Sequence, residues 1–181
     1  SPDIFLKPYK PSSTANSGGL RKNLKLANQI LENAGWRIKD GVRTKTYSDG
    51  KFIQLKFEIL LINPDNERIT LSFIKNLKKI GVIANIRTVD SAQYQSRRQN
   101  YDFDMIIHRW RVTLSPGNEQ NYYWGSDAAS TKGTRNYIGI KNIAVDKLID
   151  YIVKTTNRKN LVTGMRALDR VLLNEHYVVP L

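Results

Sequence analysis

The order of apolar and polar positions along the chain predicts alternating helices and strands. Apolar residues recur at helical spacing over residues 20–34, and Gly35 supplies a stop. Residues 53–62, which read IQLKFEILLI, first alternate and then become apolar on both faces, as a strand does when it enters a buried sheet. Two Asp-Gly pairs between these elements favour tight turns or hairpins. They are Asp40-Gly41 and Asp49-Gly50.

The later part of the chain continues to alternate. We expect, in order, a helix capped near Asn63 and ended by Gly81, a strand at 82–89, a polar helix from Asp90 to about Asn100, a strand at 103–107, helices capped by Asn142 and Asn157, and a strand at 177–181. This order predicts an α/β fold with a mixed sheet flanked by helices. Three prolines and a Ser/Thr/Asn/Gly run indicate an extended arm or linker at residues 1–19, which leaves residues 20–181 as the α/β domain.

Composition and length narrow the class of protein. The 181 residues suit one globular domain with a hydrophobic core, and contents of 40% hydrophobic and 25% charged residues are ordinary for such a domain. No apolar run approaches the length of a membrane span. The lack of cysteine excludes disulfides and thiolate metal sites without choosing a compartment. Because the chain starts at Ser1 and stops within an apolar stretch, we expect a piece of a longer protein.

The net charge of +13 leaves two interpretations open. The chain has 29 Lys and Arg residues against 16 Asp and Glu, so a nucleic acid or another anionic surface is one candidate partner. The other interpretation is a solvated basic surface, either typical of a lysine-rich proteome or offset by an acidic remainder of the protein. The basic residues are scattered, no block of five like charges occurs, and no nucleic-acid-binding motif matches.

No constellation for catalysis or metal binding is visible in the sequence. The two histidines, His108 and His176, are far apart, and neither belongs to a metal-ligand pattern such as HExxH. The motifs GxSxG, GxxxxGK[ST] and GxGxxG are missing, and Glu119 is a lone carboxylate without a partner for general acid–base work. The sequence therefore predicts no enzyme, no metal and no cofactor, and a hydrolase whose catalytic half lies outside this chain stays an alternative.

The stretch from Tyr101 to Gly125 has the composition of a binding site. A short apolar strand is followed by a basic and aromatic cluster, a Ser-Pro-Gly turn and three further aromatic residues. Ligand pockets combine aromatic walls with a few polar groups, and loops that follow strands are common places for them. The aromatic candidates are Trp110, Tyr122, Tyr123, Trp124 and Tyr137, and the polar ones are Arg109, Arg111, Asn118, Glu119, Asn121 and Asn136. For Tyr123 and Trp124 a purely structural role, filling the core beneath the loop, stays open.

Several segments together resemble one protein family. LRKNLKLANQILENAGWRIKDGVRT and NPDNERITLSFIKNLKKIGVIANIRTVDSAQYQSRRQNYDFDMIIHRW resemble consecutive segments of the periplasmic solute-binding proteins of dipeptide/oligopeptide ABC importers, family 5. SPGNEQNYYWGSDAAS, GTRNYIGIKNIAVDKLIDYI and ALDRVLLNEHYVVPL most resemble the subgroup associated with uptake of oligopeptides and of peptide-nucleotide antibiotics of the microcin type. The resemblance keeps its order over nearly all of residues 1–181.

The resemblance implies a fold, a function and a set of partners. This chain would form most of the C-terminal lobe of a two-lobed periplasmic binding protein (type II, cluster C), without the N-terminal lobe. Such proteins are not enzymes: they close two lobes over a peptide in the periplasm and deliver it to an inner-membrane ABC permease. The expected partners are therefore an oligopeptide or peptide-like ligand, the permease subunits and the N-terminal lobe of the same protein, and no nucleic acid.

The resemblance also implies candidate ligand-binding residues. Trp110 matches the tryptophan that lines the peptide cleft in relatives, and Asn136 and Tyr137 match an Asn-Tyr segment that approaches the cleft. Many relatives place an aspartate for the ligand's ammonium group at the loop that corresponds to residues 111–114, where this chain has no carboxylate. Glu119 could replace it, although Glu119 does not match by position, or the basic loop could favour ligand carboxylates or a phosphate group. The predicted site consists of Trp110, Arg111, Thr113, Ser115, Asn118, Glu119, Asn136 and Tyr137.

Overall fold

The computed structural model describes residues 9–10, 12–15, 19–111 and 113–179, which fall into two compact units. The sheet unit comprises the described parts of Pro11–Arg98 together with Asp102–His108. The helical unit comprises the described parts of Ser1–Lys10, Gln99–Tyr101 and Arg109–Leu181. Residues 20–181, predicted as one domain, are thus divided between two compact units.

Two three-stranded sheets lie within the described residues, both of them in the sheet unit. The elements of this unit are α1 (Gly19–Asn33), β1 (Arg37–Lys39), β2 (Val42–Thr46), β3 (Phe52–Gln54), β4 (Lys56–Leu61), α2 (Glu67–Lys78), β5 (Ile83–Thr88), α3 (Ser91–Gln99) and β6 (Met105–Ile106). The helical unit contains α4 (Glu119–Trp124), α5 (Ile143–Lys154) and α6 (Arg158–Asn174). The predicted α/β class is confirmed. The expected mixed sheet is replaced, within the described residues, by one antiparallel and one parallel sheet, because the order of elements indicates the class but not which strands pair.

Both Asp-Gly pairs form the turns of the antiparallel sheet, as predicted. In the two-residue turn between β1 and β2, Asp40 and Gly41 have φ angles of 50° and 79°. Two successive positive φ angles are typical of a type I′ turn, whose twist matches that of the flanking strands. In the turn between β2 and β3, Gly50 has a φ of 80° and its N–H donates to the carbonyl oxygen of Tyr47 at 3.0 Å.

Leu55 divides the predicted strand 53–62 into two strands that belong to different sheets. Its N–H donates to the carbonyl oxygen of Arg43 in the antiparallel sheet at 2.8 Å. Its own carbonyl oxygen accepts from the N–H of Ile83, at the start of β5, at 3.0 Å. The prediction of one continuous strand is wrong, because alternation indicates which residues face inwards but not which strand each backbone group pairs with.

Strand β4 lies at the centre of the parallel sheet, in the order β5-β4-β6. Residues 59–61 expose at most 2% of their surface, which explains why this run is apolar on both faces. Strand β6 is only two residues long, shorter than the predicted strand 103–107. Directly before β6, the carboxylate of Asp104 accepts from the N–H of Glu58 in β4 at 2.8 Å. This side-chain hydrogen bond takes the place of a backbone hydrogen bond between the two strands.

The helical unit is built around one hydrophobic cluster. It consists of Tyr123, Trp124, Ile140, Val145, Ile149, Ile152, Leu168 and Val171. The two predicted helix caps at its edge are confirmed: Asn142 accepts from the N–H of Ala144 at 2.9 Å, and Asn157 accepts from the N–H of Lys159 at 2.8 Å. These caps satisfy backbone donors that the first turns of α5 and α6 leave free.

The two ends of the chain agree with the prediction in part. In the predicted arm over residues 1–19, the described residues 9–10 and 12–15 form neither helix nor strand, Gly19 already begins α1, and the other residues lie outside the described part. Residues 177–179 pair with no described strand, so the predicted strand 177–181 is wrong over these three residues, and the last two lie outside the described part. Among the described helices, none combines the length and the apolar character that a membrane crossing needs.

Candidate ligand-binding site

Trp110 packs against the core of the helical unit. Its ring centroid lies 4.7 Å from that of Trp124, and the two ring planes are inclined at 37°. The indole N–H of Trp110 donates to the carbonyl oxygen of Arg135 at 3.4 Å. Trp110 is half-buried, so the core holds the ring in place while part of it stays accessible. The predicted cleft residue therefore has a defined position in the structure.

The segment after the Ser-Pro-Gly turn forms the short helix α4, which the sequence analysis missed. Its residues Tyr123 and Trp124 are buried in the hydrophobic cluster, so the structural role left open for both is confirmed. The indole N–H of Trp124 donates to Oε1 of Gln120 at 3.2 Å, and the hydroxyl of Tyr123 donates to the carbonyl oxygen of Arg111 at 2.9 Å. The sequence did contain a signal, because Gln120, Tyr123 and Trp124 have the spacing of one helical face.

Glu119 is engaged at the start of α4. Both of its carboxylate oxygens accept from the N–H of Gly117 at 3.0 Å, and Oε1 also accepts from the side-chain amide of Gln120 at 3.2 Å. The side chain is half-buried and carries a negative charge where a helix start favours one. A role for Glu119 in place of the carboxylate that the resemblance implies stays a prediction.

The other loop candidates lie on the surface. The exposed residues are Arg111, Thr113, Ser115 and Asn118. The hydroxyl of Thr113 donates to the carbonyl oxygen of Ser115 at 2.9 Å. Leu114 exposes 91% of its surface, and its carbonyl oxygen accepts from the guanidinium of Arg158 at 3.3 Å. The loop therefore presents accessible polar side chains from a backbone that is held at several points.

Asn136 is fully buried, in contrast to the exposed loop residues. Its Nδ2 donates to the carbonyl oxygens of Gly125 at 2.9 Å and Ile140 at 3.0 Å, and its Oδ1 accepts from the N–H of Ile140 at 2.9 Å. Both donors of the amide are thus used within the protein. The structure makes Asn136 a positioning residue for the surrounding backbone, a role that differs from the predicted ligand contact and that the sequence alone did not reveal.

Tyr137 is the half-buried member of the Asn-Tyr segment. Its ring centroid lies 6.2 Å from that of Tyr101, with the planes inclined at 55°. The hydroxyl of Tyr101 lies 2.6 Å from the hydroxyl of Thr134 and donates to the carbonyl oxygen of Thr131 at 3.1 Å. These contacts fix the aromatic pair within the helical unit, and part of Tyr137 remains accessible.

Three exposed arginines lie in the helical unit, next to the candidate site residues in the sequence. They are Arg109, Arg111 and Arg135, and none of them forms an ion pair with a described residue. The carbonyl oxygens of Arg111 and Arg135 accept from Tyr123 and Trp110, and both residues are exposed. Within the described part of the chain, no three His, Asp or Glu side chains are arranged as a metal site requires.

The sequence model of one family, described as "Bacterial extracellular solute-binding proteins, family 5 Middle", matches residues 2–132. The chain belongs to this family. Its members are solute-binding proteins of ABC transporters and not enzymes. The family match confirms the resemblance to family 5 and the prediction of a non-enzymatic protein, whereas the subgroup stays a prediction.

Several curated relatives match almost the whole chain. The uncharacterized protein y4wM of Sinorhizobium fredii is 42% identical over 180 residues, which are 99% of this chain and 27% of the relative. In Agrobacterium fabrum, the probable peptide-binding protein YejA is 41% identical over 99% of this chain and 29% of the relative. The peptidoglycan-binding protein YepA of the same organism is 40% identical over 99% of this chain and 28% of its own length. The chain thus spans less than a third of the length of these relatives.

Solved structures show the same fold at lower identity. The oligopeptide-binding protein AppA of Bacillus subtilis, in complex with a nonapeptide, has a TM-score of 0.73 at 24% identity over 98% of this chain and 34% of its own. An oligopeptide-binding protein of Thermus thermophilus, complexed with a pentapeptide, has a TM-score of 0.73 at 21% identity over 97% of this chain and 32% of its own. The chain therefore has the α/β fold of one part of these proteins.

Proposed function

We propose that the chain is part of the substrate-binding component of an ABC importer, which captures oligopeptides or peptide-like compounds in the periplasm and delivers them to an inner-membrane permease. The observation that carries this proposal is the family match over residues 2–132. A relative 41% identical to the chain is named a probable peptide-binding protein. Two structures with the same fold are described as holding a nonapeptide and a pentapeptide.

The position of Trp110 supports its role as a wall of the ligand site. The ring is held by Trp124 and by the carbonyl oxygen of Arg135, so it loses little conformational entropy when a ligand packs against it. The exposed side chains of Thr113 and Ser115 follow in the sequence. The hydroxyl of Ser115 can donate to or accept from the main chain of a peptide, and that of Thr113, which donates to the carbonyl oxygen of Ser115, can accept from it. An aromatic wall beside a few polar groups is the usual composition of a ligand site.

The proposed function also needs the rest of the protein. The curated relatives are more than three times as long as the part that this chain matches. We place the chain in the C-terminal lobe of such a protein, where closure with the N-terminal lobe would add further ligand contacts. The 181-residue chain alone is therefore expected to bind ligand weakly.

We extend the proposal to a ligand that carries a carboxylate or a phosphate group. The exposed guanidinium groups of Arg109, Arg111 and Arg135 form no ion pair with a described residue, and arginine binds both anions through paired hydrogen bonds. The resemblance to the oligopeptide and microcin subgroup supports such ligands. One relative is named a peptidoglycan-binding protein, so cell-wall peptides belong among the ligands to be tested.

Native mass spectrometry of the full-length protein, purified from the periplasm, tests the proposal. We expect peptides or peptide-like compounds to co-purify, and calorimetry with the identified compound to show saturable binding at one site. The alternative function, binding to nucleic acid or another anionic surface, predicts an affinity that ignores peptide identity and falls steeply with salt concentration. That result, without a bound peptide, would contradict the proposal.

A further inference from the structure

The end of the β2–β3 hairpin carries exposed apolar side chains. Tyr47, Phe52 and Ile53 expose 48%, 65% and 43% of their surface. We call residues 46–53 the hairpin tip. Several large apolar side chains that are exposed close together indicate a contact surface, because their exposure to water is unfavourable in free energy.

Hydrogen bonds within the turn hold the backbone of the hairpin tip. The N–H of Tyr47 donates to the carbonyl oxygen of Lys51 at 2.8 Å, and the N–H of Lys51 donates to the carboxylate of Asp49 at 3.0 Å. Gly50 adopts the positive φ that the turn requires and donates back to Tyr47. The apolar side chains are therefore presented by a rigid turn, which lowers the entropy lost on contact with a partner.

The apolar side chains lie on both faces of the hairpin ribbon. Phe52 pairs with Thr46, whereas Ile53 pairs with Lys45. Since successive residues of a strand point to opposite faces, Phe52 lies on one face and Ile53 on the other, with Tyr47 on the face of Ile53. A flat protein surface could cover only one of these faces, but a fluid layer of lipid headgroups can surround both.

The charge of the hairpin favours an anionic partner. Residues 37–56 contain six basic residues against two acidic ones. Lys51 exposes 83% of its side chain and lies 3.3 Å from the carboxylate of Asp49, an exposed pair that contributes little and leaves the ammonium group accessible. Arg43 is the only buried member of the basic set. Three apolar side chains supply far less than the roughly 800 Å² per partner of a stable protein interface. A lipid surface needs no such area, because basic residues near it each strengthen binding about fivefold.

We propose that the hairpin tip binds an anionic lipid surface, with Tyr47, Phe52 and Ile53 entering the headgroup layer and the flanking lysines contacting the lipid phosphates. An apolar insertion and a basic patch act as two weak signals that reinforce each other. This inference concerns the sheet unit and is independent of the ligand proposed for the helical unit. It would keep the protein close to a membrane surface.

Co-sedimentation of the full-length protein with phospholipid vesicles tests the inference, because the chain spans less than a third of the length of its curated relatives. We expect binding to vesicles that contain phosphatidylglycerol and none to vesicles of phosphatidylcholine alone. Replacing one apolar group in Phe52→Ser should lower the partition coefficient about tenfold, and Lys51→Glu should lower it by more than fivefold, because the substitution also reverses a charge.

Matched controls lie on α2 of the same unit. Leu71 exposes 55% of its surface and Lys75 is also exposed, so Leu71→Ser and Lys75→Glu make the same chemical changes away from the tip and should leave the binding within about twofold. Circular dichroism confirms that each variant is folded. Equal loss in the tip and α2 variants, or no binding to anionic vesicles, would overturn the inference. So would a concentration-dependent dimer that Phe52→Ser abolishes, since the occupant of the tip would then be a second copy.

Discussion

The guanidinium of Arg43 donates from Nε to the carbonyl oxygen of Ile80 at 2.8 Å, in the interior of the sheet unit. Arg43 is fully buried, and its other nitrogens donate to the carbonyl oxygen of Trp36 at 3.3 Å and to the side-chain oxygen of Asn28. The carboxylate of Glu32 lies 3.8 Å away. A buried cation is tolerated only when its donors find partners, and here these partners join α1, β2 and the turn after α2.

Arg43→Met should therefore destabilise the protein without emptying the space that the side chain fills. The carbonyl oxygen of Ile80 would lose its buried donor, and we expect the free energy of unfolding to fall by about 3 kcal/mol. Urea denaturation measures the change. Arg87→Met, at an exposed position of β5, serves as the control and should change the free energy by less than about 0.5 kcal/mol. Similar values for both variants would show that Arg43 does not hold these elements together.

Gly164 allows α6 to approach α5 closely. A Cβ atom at this position would lie 2.9 Å from Cγ1 of Ile152 and 2.9 Å from the ring of Tyr151. We expect Gly164→Ala to lower the free energy of unfolding by about 1 kcal/mol, because overpacking outweighs the better helix propensity of alanine. Thermal unfolding monitored by circular dichroism measures it, with Asp169→Ala on the exposed side of α6 as the control. A Gly164→Ala variant that is more stable than the unmodified protein would show that α5 and α6 can move apart at little cost in free energy to accommodate the methyl group.

Arg97 joins α3 to β4 and to the segment before β6. Its guanidinium lies 3.0 Å from the carboxylate of Glu58 and 2.9 Å from that of Asp102. Desolvation lowers the pKa of Arg97, but the hydrogen bonds to Glu58 and Asp102 outweigh it, so that the pKa is raised above its ordinary value. A raised pKa means that the folded state favours the charged form. The stability that this charge contributes is complete at neutral pH and is lost only when strongly alkaline pH passes the folded-state pKa.

Arg97→Gln is expected to lower the free energy of unfolding by about 1 kcal/mol. The loss should be smaller at high salt concentration, because ions screen partly exposed pairs. Denaturation of both proteins at low and high salt measures the difference, and Lys56→Gln at an exposed position of β4 is the control. An effect of Arg97→Gln that does not depend on salt would assign the role to packing instead of charge.

Two substitutions of Trp110 test its contribution to stability and its contribution to ligand binding separately. Trp110→Phe keeps an aromatic ring against Trp124 but removes the N–H that donates to the carbonyl oxygen of Arg135, so we expect a loss of stability of about 1 kcal/mol. Trp110→Ala removes the proposed wall and should weaken peptide binding by the full-length protein at least about tenfold. Calorimetry measures the affinity and circular dichroism the folding. Unchanged affinity in a folded Trp110→Ala protein would place the ligand elsewhere.

Arg111 tests the proposed recognition of an anionic group. Arg111→Gln should weaken the binding of a peptide with a free carboxylate about tenfold, while the same peptide with an amidated terminus should bind both proteins equally. Calorimetry on the full-length protein measures these four affinities. Arg166→Gln, an exposed position on α6, provides the control. An equal effect on both peptides would contradict a direct contact with the carboxylate.

The sequence by itself determined those features that depend on residues close together in the chain. The turns at Asp40 and Asp49, the caps at Asn142 and Asn157 and the buried strand over residues 59–61 were all predicted correctly. Each of them rests on backbone geometry, on a side chain that bonds a neighbouring N–H, or on a local run of apolar residues. The family was also recognisable, because its motifs keep their order along the chain.

Only the tertiary structure decided which distant groups meet. The backbone of Leu55 forms hydrogen bonds with strands of two different sheets. Arg43 donates to a carbonyl oxygen 37 residues further along the chain. The amide of Asn136 forms hydrogen bonds with the backbone of Gly125 and Ile140. Trp110 likewise acquires its position from Trp124. A pattern of apolar and polar residues indicates how much of a side chain is buried, but hydrogen bonds and ring contacts are directional. Their partners follow only from the three-dimensional course of the backbone.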